Sequence, residues 1–138
     1  MMKVTLDTNV LISGTFWEGE AYKIIQLIEQ GKVKSIISKE ILIEYNRVLH
    51  SDEIVKKTEE KELSAKTVTI KVIETSTIVN PRKKLQIVLE NPDDNKIIEC
   101  ALEGQADFII TYDPHLLKIK KFHDIIILTP KEFLQNFE

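Results

Sequence analysis

The sequence predicts an α/β fold with a mostly parallel central sheet and helices on both of its faces. Three observations predict it. Short β-branched apolar segments alternate with longer amphipathic ones, the pattern of strand–helix–strand units. Capping residues fall between them: Ser38 before one helix, Gly31 and Gly104 after two others, Pro130 at the start of the last. At 138 residues and 43% hydrophobic, the chain is long enough for one ordinary core and short for two, so residues 1–138 are expected to form a single domain.

In chain order, Lys3–Asp7 reads as a buried strand, because Val4 and Leu6 alternate with polar neighbours; the apolar run Val10–Ile12 then anchors the following turn in the core. Glu20–Gln30 reads as a helix in which Ile24, Leu27 and Ile28 share a face. Lys34–Ser38 reads as a strand, and Ser38 caps a helix from Lys39 to about His50. Ser51–Glu62 is polar and helix-prone. Thr67–Val79 is rich in β-branched residues and reads locally as strand. Asp94–Leu102 is a helix with Ile97, Ile98 and Ala101 on one side, and Asp107–Thr111 a strand. A helical turn follows Asp113-Pro114, Ile125–Leu128 is the last strand, and Pro130 opens a helix through Phe137. Gly14, like Gly31 and Gly104, sits where a helix end is expected.

Composition excludes several classes. Apolar runs such as Ile125–Leu128 are too short to span a bilayer, and the N-terminus reads as no secretory signal, so a cytoplasmic protein is expected. The single Cys100 excludes an internal disulfide and a cysteine zinc site. A net charge of −3 argues against a sequence-reading DNA module and leaves room for an enzyme that gathers acids around metal ions. There is no nucleophile elbow, phosphate-binding glycine loop or dinucleotide fingerprint. His50, His115 and His123 show no ligand spacing and read as structural or surface residues.

Four carboxylates stand out. Asp7 ends the first strand, at the carboxyl edge where ligands bind in parallel sheets. Asp113 follows the strand in "IITYDPHLL", where its other reading is a plain helix cap. In "NPDDNKIIECAL" Asp93 is expected to cap the helix and Asp94 to turn toward the site. Glu44, in "KEILIEYNRVL", lies at the border of an apolar helix face, roughly 40–60° from Val48 and Ile41 at ~100° per residue; alone it also reads as a solvated helix-edge acid. Acids gathered from strand ends and helix starts repel one another, so the cluster asks for a divalent cation. An all-oxygen set suits Mg²⁺ or Mn²⁺ and fits metal-assisted phosphoryl chemistry.

With "LDTNVLIS", "EILIEYNRVL", "NPDDNKIIECALEGQADFIIT" and "YDPHLL" in this order, the chain resembles a PIN domain over essentially its whole length. It most resembles the branch described as toxin components of toxin–antitoxin systems, the VapC-like ribonucleases. The resemblance implies a three-layer α/β/α fold and metal-dependent hydrolysis of RNA phosphodiester bonds. It assigns the family's acids to Asp7, Glu44, Asp94 and Asp113, with Asp7 and Asp94 the firmest ligands and Glu44 and Asp113 completing the metal set. Asn9, Thr111 and Asp93 are supporting candidates. It also implies helices in the ambiguous middle, a small antitoxin partner and a homodimer. Arg82, Lys83, Lys84, Lys118, Lys120 and Lys121 are candidates to grip an RNA backbone, the alternative being a solvated face. Phosphatases of the haloacid dehalogenase type want an Asp where Asn9 stands. The rival reading is a non-catalytic, metal-stabilised protein-binding module.

Overall fold

A computed structural model of the chain describes residues 1–88 and 90–137. Six strands form one sheet: β1 (Lys3–Leu6), β2 (Lys34–Ser38), β3 (Ser76–Val79), β4 (Phe108–Ile110), β5 (Lys121–Phe122) and β6 (Ile125–Leu128). Their order is β3-β2-β1-β4-β6-β5. Every neighbouring pair is parallel except β5 with β6. The helices α1 (Thr8–Phe16), α2 (Glu20–Glu29), α3 (Lys39–Leu49), α4 (Asp52–Glu60), α5 (Ala65–Glu74), α6 (Asn95–Glu103), α7 (Pro114–Leu117) and α8 (Pro130–Phe137) flank it in an α/β/α sandwich. No helix among the described residues is long and apolar enough to cross a membrane.

The strand order reverses beside β1. The chain moves from β1 to β2 and β3 on one side, then returns to β4 on the other. Such a switch point leaves a crevice at the carboxyl ends of the two diverging strands, here β1 and β4. Register pairs Leu6 with Ile110, so Asp7 and Thr111 leave the sheet side by side. Val4, Leu6, Ile109 and Ile110 are buried beneath them, which fixes that edge.

Three local readings are corrected. The run after Asp7 is helix α1, with Val10, Leu11, Ile12 and Phe16 buried. The polar Thr8 is buried in it alongside apolar residues, so its sequence shows no clear amphipathic period. Gly14 lies inside α1 rather than at a helix end: a Cβ there would stand 2.6 Å from Ile25 Cγ1, where α1 crosses α2. Thr67–Val79 is mostly helix, as the family resemblance implies. Ser64 caps α5 by accepting from the Thr67 N–H at 3.1 Å, and strand begins only at Ser76. α5 packs on α3 and β3, and this tertiary packing overrides the β-branched preference.

Residues 80–88 run as a strap along α6. Glu103 accepts from the Arg82 N–H at 3.0 Å, Glu99 from Leu85 at 2.8 Å, and Asn95 from Ile87 and Val88 at 2.9 and 2.8 Å. Spaced four residues apart, these acceptors share one helix face. They satisfy backbone donors that have no strand partner and lead the strap toward the sheet's carboxyl edge.

Candidate active site

Asp7 closes β1 and opens α1. Its Oδ1 accepts from the Thr8 N–H at 2.8 Å, and its Oδ2 accepts from the Thr111 hydroxyl at 2.7 Å. The Thr111 oxygen in turn accepts from the Asp113 N–H at 2.9 Å. Thr111 is fully buried, so one hydroxyl ties the two strand ends together. Asp113 caps α7, its Oδ1 accepting from the His115 N–H at 2.8 Å. Capping and facing the crevice are both true of it.

Asp94 is buried at the end of a 3₁₀ turn, Pro92–Asp94, which precedes α6. Asn91 donates to its Oδ2 at 3.1 Å. Asp93 is exposed and lines the same cavity; neither it nor Asp94 makes a side-chain cap bond, so the expected division of labour holds only in that Asp94 turns inward. Glu44 comes from α3. Its two oxygens are occupied by the Thr8 hydroxyl and the Lys96 ammonium, with Arg47 at 3.7 Å. Together Asp7, Thr8, Asn9, Glu44, Arg47, Asp94 and Asp113 line a cavity of about 270 Å³.

The electrostatics divide the acids into two kinds. Burial raises Asp7, and the charges of Glu44 and Asp113 add to it, against the hydrogen bonds from Thr111 and Thr8. Burial pushes Asp94 up to about 8, with the facing Asp113 and then Asp7 contributing. Burial works to raise Asp113 too, but the protonated Asp94 carboxyl and the His115 N–H hold it below its ordinary value. Asp94 and Asp113 therefore share one proton, the usual response of close carboxylates without a cation. For Glu44 burial is likewise outweighed, by the Lys96 and Thr8 hydrogen bonds and the charges of Lys96 and Arg47, and its pKa is lowered. Among the described residues, Asp7 and Asp94 have no ion-pair partner, and Asp113 meets only the His115 ring, at 3.3 Å. Three carboxylates presenting oxygen alone, with a proton standing where positive charge is needed, fit a divalent cation.

Three participants were missed by sequence reading: Asn91, Lys96 and His115. One ligand atom each of Asp94, Asp113 and His115 lie within 4.8 Å of one another. The i, i+2 spacing of Asp113 and His115 across a proline-opened turn is the signal available for His115. The basic candidates are dispersed. Arg82 pairs with Glu103 at the far end of α6, about 12 Å along the helix from Asn95 at ~1.5 Å per residue. Lys84 pairs with Glu40, Lys118 with Glu90, and Lys83, Lys120 and Lys121 are exposed. Cys100 is buried, and burial pushes its thiol up to about 11.

A parallel sheet whose switch point opens on a cavity of unpaired carboxylates defines a class of α/β protein suited to divalent cations and phosphate chemistry. A family model described as "PIN domain" matches residues 3–115, and the chain belongs to the PIN domain family. PIN domains are generally nucleases that use a divalent metal. Among solved structures, the chain is similar to one in the crystal structure of VapBC2 from Rickettsia felis bound to a DNA fragment from their promoter. Identity is 16%, with 91% of this chain and 97% of that chain covered and a TM-score of 0.61. No curated protein matches the chain.

Proposed function

We propose that this protein is a metal-dependent ribonuclease and the toxin of a toxin–antitoxin pair. The observation that carries the reading is the convergence of Asp7, Asp94 and Asp113, from three separate elements, on one cavity. Asp7 and Asp94 are the principal ligands for Mg²⁺ or Mn²⁺, and Asp113 and Glu44 complete the acidic wall. A bound divalent ion would activate water and offset charge on the phosphate.

The chain's own groups do the rest. Thr111 and the Thr8 N–H fix both Asp7 oxygens, so that carboxylate is pre-oriented. Asp94 gives up its shared proton when positive charge enters the cavity. Asp113 lines the cavity at the end of β4, where its carboxylate can orient the attacking water or take its proton. Glu44 is less suited to that step, because both its oxygens are already bonded.

The toxin role is supported by family membership and by the similarity to a chain of the VapBC2 complex. The partner it calls for is a small antitoxin, with a homodimer the accompanying assembly. Purified protein incubated with defined single-stranded RNAs in Mn²⁺ or Mg²⁺ is expected to cleave them, and EDTA to stop it. Metal-dependent stabilisation without turnover would instead mark a metal-stabilised binding module.

A further inference from the structure

The acid cavity leaves Lys96 without a task. It stands in the first turn of α6, and its side chain is only 18% exposed. Its ammonium bonds Glu44 Oε2 on α3, while Glu44 Oε1 takes the Thr8 hydroxyl and the Thr8 N–H bonds Asp7. Lys96 is thus fixed to the backbone segment that carries Asp7. Among the described residues Glu44 is its sole ion-pair partner, and an ammonium has three N–H groups to give. Lys96 also lines a depression of about 330 Å³ with Lys84, Gln86, Asn95 and the acids Glu40, Asp93 and Glu99. Asp93 lines both this depression and the acid cavity, so the two meet at that residue, and Lys96 reaches the acid cavity's wall through its bond to Glu44.

Two physical points give that placement a use. Even with a divalent ion among them, Asp7, Asp94 and Asp113 outnumber its charge, so an incoming phosphodiester meets a net negative wall. A lysine loses rotamer freedom when it grips a phosphate, and one already held by a carboxylate has lost it beforehand. Arg47, which lines the acid cavity, also pairs with Glu44, but at 3.7 Å and with a side chain 75% exposed, so it is held more loosely.

We infer that Lys96 binds a phosphate of the strand entering the acid cavity, and that Glu44 is the positioning residue holding it there rather than a direct metal ligand. This rests on the nuclease reading above. Binding of a fluorescently labelled single-stranded RNA is measured across a salt series, with Ca²⁺ replacing Mg²⁺ so that no turnover intrudes. Lys96→Met is expected to weaken binding about tenfold. It should also lower the slope of log affinity against log salt by about 0.7, the value for one phosphate contact to a single strand. Lys96→Arg restores both, because it restores the charge. Glu44→Gln weakens RNA binding while Mn²⁺ affinity by calorimetry stays within about threefold, since a neighbouring charge is partly screened.

An unchanged salt slope in Lys96→Met overturns the phosphate contact, and loss of the Mn²⁺ binding heat in Glu44→Gln overturns the positioning role. If Lys96→Met does not fold, the double variant Glu44→Gln, Lys96→Gln keeps a neutral hydrogen bond in place of the pair and reads the same slope. A wild-type protein that binds RNA without cleaving it defeats the nuclease reading, and the slope still decides this one; a wild-type protein that binds no RNA defeats both.

Discussion

A carboxylate pair and an ion pair beside the same cavity are treated in opposite ways. Asp94 and Asp113 face each other without a cation and hold one proton between them. Glu44, a few residues of packing away, is matched by Lys96 and keeps its charge. The difference lies in what packs against each pair. α6 delivers an ammonium to Glu44, while Asp94 and Asp113 meet a hydroxyl, amides, another acid and the His115 ring. The unmatched acids are the ones we propose hold the divalent ion.

The contrast breaks most completely at Asp7. Asp7→Asn is expected to abolish Mn²⁺-dependent RNA cleavage, a loss on the order of 100-fold or more, while circular dichroism remains unchanged. Retained cleavage would remove Asp7 from the metal set.

Next is the pH response of the unmatched pair. Asp94 is raised from 3.8 to about 8 by burial, by Asp113 and by Asp7. A raised acid contributes stability that is fully present below its unfolded pKa and is lost as pH rises through the folded value. In EDTA, the melting temperature should therefore fall from about pH 4 toward pH 8. Mn²⁺ requires the ionised form, so its stabilisation should be larger at pH 8 than at pH 5. Asp94→Asn should flatten the EDTA profile and remove most of the Mn²⁺ effect. A wild-type profile that rises with pH in EDTA would contradict the shared proton.

The matched pair should behave differently. Lys96→Met leaves Glu44 short of a partner and is expected to cost about 1–3 kcal/mol in urea unfolding, with the Mn²⁺ stabilisation retained. Thr111→Val should cost about 1–2 kcal/mol, because it removes a buried donor to Asp7 and an acceptor for the Asp113 N–H together. The smallest effect is expected from Arg82→Ala. Its exposed pair with Glu103 lies at the other end of α6, so melting temperature and Mn²⁺ affinity should both stay at wild-type values.

The legible part of the site was the part built from local chemistry. Asp7 and Asp113 sit at strand ends and Asp94 at a helix start, where a carboxylate beside an apolar run is conspicuous in one dimension. The Lys96–Glu44 pair was not legible, because its members are 52 positions apart and each alone looks like a helix-surface charge. The same limit applies to the fold. Helices α2 and α3 announced themselves by period and cap, whereas α1 buries polar Thr8 among its apolar residues and hides its period. In α5 local preference pointed to strand, and packing on α3 decided for helix.

The sequence by itself determined the alternation of strands and helices, the sheet's parallel character and three acids at its carboxyl edge, because period, capping and strand ends are properties of neighbouring residues. Only the tertiary structure decided which acids meet a cation and which meet each other. Burial and distance set a carboxylate's charge, and both depend on what distant segments bring to the crevice beside β1.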